Sequence, residues 1–149
     1  MAISRGAGTE IIRTIALEGI TSTAKIMIFG EAHHIYTVLS VICHAQAVDT
    51  AGNYIKMYLK GYDSNTGTTG RTFDIFQQDM SLVDTFVWND KFSFNGNEPT
   101  NFTGPMDDAT KQNAIADQGQ ATTQWLYIKA ENASDNFDVI CTFIDQNNE

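Results

Sequence analysis

Chemistry in this chain would have to start from its histidines, carboxylates and thiols. His33 and His34 are adjacent, and His44 follows in the same run. Neighbouring side chains of a strand point to opposite faces, so His33 and His34 cannot share one ion without a bulge, and no second Cys or His cluster has ligand spacing. They read as a strand-entry pair and a surface or core histidine, with no metal site. Asp63, Asn65 and Gly67, followed by Asp74, resemble a calcium loop only in outline. The required glycine is replaced by Thr68 and the closing glutamate is missing, so the segment reads as a turn.

Asp107 with Asp108, and Glu131 with Asp135 and Asp138, bring carboxylates together. Nothing in the sequence desolvates them, and acid–base catalysis needs such desolvation. They read as solvated, with Asp107 and Asp108 placed as favourable charges at a helix start. No nucleophile elbow, phosphate loop, dinucleotide fingerprint or zinc-protease motif occurs. The expectation is a protein that is not an enzyme and takes no cofactor. Cys43 and Cys141 lie inside the strand-like runs VLSVICHAQ and FDVICTFID and read as free, buried thiols.

The surface candidates are aromatic. Tyr54, Tyr58, Trp88, Trp125 and Tyr127 fall on strand parities that also carry polar residues; core packing at a sandwich edge is the first reading of them, and exposed anchors for a protein partner or a sugar the second.

The elements that must hold these residues are short strands. IIRTIAL and KIMIFG are rich in Ile, and HIYTVLSVICHAQA is apolar on both alternating sets, as a strand covered on both faces would be. NYIKMYLKGY alternates and pairs with it as a hairpin or close sheet neighbour; RTFDIFQ follows the polar loop 63–70. MSLVDTFVW and KFSF read as one hairpin turning at Asn89-Asp90, and NGNEPTNFTGP reads as irregular loop. PMDDATKQNAIADQ allows one short helix, with Pro105 at its first position and Gly119 ending it. TQWLYIKA and FDVICTFID, joined by NASDN, read as the clearest hairpin of the chain. The sum is an all-β fold: an antiparallel β-sandwich or jelly roll of about eight strands with one short helix.

At 149 residues the chain is one domain, read as an arm over residues 1–10 and a single β domain over 11–149. Hydrophobic residues make up 42% and charged residues only 18%, which excludes a disordered chain. Eighteen acidic against nine basic residues give a net charge of −9. That field opposes phosphate binding, so nucleic acid and anionic membranes are not expected partners. The N-terminus carries no apolar signal-peptide run, and no stretch approaches the length of a membrane span.

Two stretches, TFVWNDKFSFNGNEPTNFTGPMD and QWLYIKAENASDNFDVICTFIDQNNE, resemble small structural proteins encoded near capsid genes in tailed bacteriophages, especially those of marine bacteria and cyanobacteria. The resemblance covers about the last two-thirds of the chain and rests on texture and hairpin pattern. It implies a virion protein that decorates or cements the head, often as trimers of β-sandwich or jelly-roll subunits where capsomers meet. The major capsid protein would be its partner, and no catalytic residue is carried over. The arm, in which Arg5 is the only charged side chain before Glu10, would add a strand or fill a groove on the shell. The rival reading is a head-fibre or tail component that binds host glycan or receptor through exposed aromatics and loops.

Overall fold

The computed structural model describes residues 8–62, 70–99, 107–117 and 121–148. Eleven strands and one helix follow in the order β1 (Thr9–Ile20), β2 (Lys25–Phe29), β3 (His34–Ala47), β4 (Tyr54–Tyr62), β5 (Gly70–Asp79), β6 (Thr85–Trp88), β7 (Phe92–Asn95), β8 (Asn97–Pro99), α1 (Ala109–Asp117), β9 (Ala121–Thr123), β10 (Trp125–Ala130) and β11 (Asn136–Asn147). Residues 1–7 of the predicted arm and the loop over 63–69 lie outside the described residues, as do Arg5, Pro105 and Gly119. The structure has β1 starting at Thr9, two residues before the expected Ile11.

Two antiparallel sheets form a sandwich. Sheet A has the order β1-β11-β3-β6, with β7 also on β3; sheet B has the order β2-β10-β4-β5. Successive strands mostly change sheet, and with β6 and β7 taken as one interrupted strand the order is that of a jelly roll. The core lies where the inner faces meet. Tyr36, Val38, Val41 and Cys43 of β3 and Phe137, Val139, Cys141 and Phe143 of β11 are buried against Ile55 and Met57 of β4 and Leu126 and Ile128 of β10. Period-2 alternation produces this directly on β4, β10 and β11; on β3 the register shift opposite Thr142 and Phe143 changes the phase, so Val38 and Val41 both face the other sheet.

Alternation does not specify which strands pair. The expected hairpin of WLYIKA with FDVICTFID is an arch: β10 lies in sheet B and β11 in sheet A. The loop between them crosses the sandwich because Asp135, fully buried, accepts hydrogen bonds from the Asn132 amide (2.9 Å), the Asp49 amide (2.8 Å) and the Asn53 side chain (3.2 Å). Asp135 is therefore not one of the solvated carboxylates that the sequence suggests. It ties two loops at one end of the sandwich. In the same way β3 and β4 are not neighbours but face each other from opposite sheets.

The expected hairpin of MSLVDTFVW with KFSF is also corrected. β6 pairs with Val41–His44 and β7 with Ile35–Val38, both antiparallel to β3, so Asn89–Lys91 is a jog along one edge and not a reversal. The long β3 offers both stretches a partner. Leu82 and Val83 belong to a turn before β6, and part of the expected loop, Asn97–Pro99, is a short strand paired with β9. The helix is present but begins at Ala109: Asp108 caps it by accepting the Lys111 amide at 2.8 Å, and Lys111 pairs with Asp107 at 2.8 Å.

Glycine is required where sheet B crosses the start of β3. The Gly30 amide donates to the Gln124 carbonyl (3.0 Å) and the Gln124 amide to the Gly96 carbonyl (2.8 Å). A Cβ at Gly30 would collide with the Gly96 carbonyl oxygen, and one at Gly96 with the Glu31 backbone. The backbones touch there because neither residue has a side chain.

Candidate functional site

The outer face of sheet B collects four of the aromatic candidates. β10 turns Leu126, Ile128 and Ala130 into the core, which leaves Trp125, Tyr127 and Lys129 on its other face. β4 buries Ile55 and Met57 and presents Tyr54, Lys56, Tyr58 and Lys60. Register then fixes the neighbours: Trp125 lies opposite Lys60, Tyr127 opposite Tyr58 and Lys129 opposite Lys56.

The rings form a continuous path across three strands. Tyr58 stacks on Tyr127 at 5.1 Å between centroids, Tyr127 meets Trp125 edge-on at 5.8 Å, and Trp125 stacks on Phe29 of β2 at 5.6 Å. Lysines lie over this path. Lys60 Nζ sits 5.6 Å from the Trp125 ring, and Lys56 Nζ is 5.7 Å from Tyr58 and 5.9 Å from Tyr54. Lys56 also pairs with Asp74 of β5 at 3.5 Å.

Three of the nine basic residues of an acidic chain thus share one face with five aromatics. Burial, and next the nearby Asp74 carboxylate, hold the Tyr58 phenol above its ordinary value; burial, and then Tyr58 and Tyr62, do the same for Tyr127. Both remain hydroxyl donors at neutral pH. The face can offer flat apolar rings, ammonium groups and phenolic donors, and among the described residues it contains no nucleophile with an adjacent base.

Trp88 does not belong to this face. It points between the sheets, 5.5 Å from Phe92 and 6.1 Å from Phe76, because it shares the inward parity of Phe86 on β6. Sequence reasoning missed Lys56, Lys60, Lys129 and Phe29. The lysines were visible in the repeat of aromatic and lysine at every second position, while Phe29 joins only through the pairing of β2 with β10.

The histidines are dispersed. His34 Nδ1 meets Asp145 at 2.6 Å, and the buried Asp145 also binds Arg13 at 3.2 Å, which closes the far end of sheet A. His44 reaches Thr85 at 2.9 Å. Among the described residues no three His, Cys, Asp or Glu side chains are grouped to hold a metal. The outer face of sheet A is apolar in one row, where Ala16, Ile140, Ile42 and Val87 lie side by side on four strands.

No family model and no curated protein matches this chain. Among solved structures, a chain of the disulfide-linked pili of Bacillus endospore appendages aligns over 100% of this chain and 97% of that chain, at 10% identity and a TM-score of 0.43.

Proposed function

We propose that this protein is a structural adhesive: a virion head decoration protein that docks on the major capsid protein through the outer face of sheet B and reinforces the shell without making or breaking bonds. The observation that carries this reading is the aromatic and lysine face itself. Rigid rings supply contact area at low entropic cost, and interface cores are enriched in Tyr and Trp.

The lysines favour a protein partner over a neutral glycan. Stacked rings also suit the flat faces of sugars, but a neutral glycan would leave Lys56 and Lys60 idle above the rings. A carboxylate-bearing protein surface uses both, and the acidic remainder of the molecule keeps it off packaged nucleic acid. The row Ile140, Ile42 and Val87 on the opposite side gives the sandwich a second apolar face, as a wedge between two subunits requires.

The test is copy number in purified particles, measured by quantitative gel densitometry. A decoration protein is present in numbers comparable with the capsid subunit. A few copies per particle would instead mark a fibre or tail component, and absence from particles would overturn the reading.

A further inference from the structure

Four described sheet edges border the sandwich, and three carry features that discourage further pairing. The edge made by β6 and β7 is interrupted at Asn89–Lys91, β2 is five residues long and shifts register against β10, and β5 shifts register against β4. β1 shifts register against β11 only at its far end, between Leu17 and Ile20, whereas the shift of β5 falls in mid-strand between Met57 and Tyr58. It pairs with β11 residue for residue from Thr9 to Leu17, contains no proline or lysine, and leaves Ile12 71% exposed and Ile11 41% exposed.

We infer that β1 is a self-pairing edge: two copies of this chain join β1 to β1, antiparallel, about a two-fold axis at Ile12. A two-fold rotation sets a strand against its own copy in the antiparallel sense, so one free edge is complementary to itself. Outer side chains must lie opposite outer ones, which leaves few registers. An axis at Arg13 would set two guanidinium groups against each other, one at Thr14 would bring Glu10 toward the partner's Glu18, and one at Ile15 or beyond would carry the pairing into the register shift after Leu17. An axis at Ile11 would pair only Thr9–Arg13. The axis at Ile12 pairs Thr9–Ile15, sets Glu10 opposite the partner's Thr14 and Ile11 opposite the partner's Arg13, and opposes no like charges.

Both faces of the joined sheet gain from this register. On the outer side the neighbours Ile12 and Ile144 continue through the axis into the partner's Ile12 and Ile144. On the inner side, the partner's Ile11 comes to lie beside Arg13, over a groove of about 450 Å³ between β1 and β2 lined by Ile15, Ile26, Ile28 and Phe143. Ile11 is exposed in the single chain because it faces inward where sheet B has already ended. The inference does not depend on the proposed function, since the dimer would form whatever sheet B binds.

Light scattering and sedimentation of the full chain over a range of concentrations test it. The expected result is a reversible monomer–dimer equilibrium, reduced to monomer in Ile12→Lys with unchanged circular dichroism. Under mild oxidation Ile12→Cys should form a covalent dimer and Thr14→Cys should not. A monomer at every concentration, a trimer, an Ile12→Lys variant that still dimerises, or equal cross-linking at both positions would each overturn it.

Discussion

Lys56 and Lys129 stand directly opposite each other on β4 and β10, on the outer face of sheet B. Like charges in that position destabilise a sheet, by a few tenths of a kcal/mol to about 1 kcal/mol. Asp74 offsets part of this at Lys56. A partner that supplies carboxylates, as proposed, would relieve the rest. Lys129→Glu should therefore raise the melting temperature of the isolated chain slightly and weaken docking on particles. A variant that docks as well as the parent would remove the lysines from the account.

The Asp135 clamp should be worth more than any surface pair. Asp135→Ala strips the acceptor from three loop donors, Asn132 N, Asp49 N and Asn53 Nδ2, beside a fully buried position, at a cost of about 3 kcal/mol. Chemical denaturation should show it, with an unchanged slope. A loss below 1 kcal/mol would mean that the loops hold their arch without it.

Val83 holds a φ of 64°, a conformation that strains a β-branched residue, while its side chain is 72% exposed. Val83→Asn should relieve this and stabilise the fold by about 1 kcal/mol, a rise of about 2–4 °C in Tm for a chain of this size. If the variant instead lowers Tm, the valine side chain makes contacts that outweigh its strain.

Cys43 and Cys141 are free, buried thiols, and burial pushes each up to about 12, aided at Cys43 by Cys141. Native protein should resist thiol reagents at neutral pH and label at both sites when unfolded. An unfolded thiol ionises near 9, whereas the folded one keeps its proton until about 12. The folded state binds more protons across that window, so the contribution of the thiols to stability is constant below pH 9 and falls as pH rises toward 12. Tyr36, also pushed up to about 12 by burial foremost, adds to the fall from pH 10. Urea midpoints measured from pH 7 to 11 check this; a midpoint independent of pH would contradict it.

Strand character and inward faces were legible in the sequence because alternation records burial: Ile55, Met57, Leu126, Ile128, Val139 and Cys141 all point inward as their parity requires. Pairing was not legible, since a hairpin and an arch between sheets leave the same alternation. The distinction rests on Asp135, whose partners at Asp49 and Asn53 are far away in sequence. The candidate face was half legible for the same reason. Parity put Tyr54, Tyr58, Trp125 and Tyr127 on the sides that carry polar residues without separating surface from sandwich edge, and only the register of β10 between β2 and β4 assembles them with Phe29. Trp88 was misjudged because its strand begins at Thr85, not in the turn residues before it.

Docking through the outer face of sheet B is tested most directly by co-sedimenting the full chain, and its Tyr58→Ala/Tyr127→Ala variant, with capsids assembled without this protein. The account predicts saturable binding of the parent in numbers comparable with the capsid subunit, weakened by salt, and at least tenfold weaker binding of a folded variant. Equal binding by both, or no binding by the parent, would contradict it.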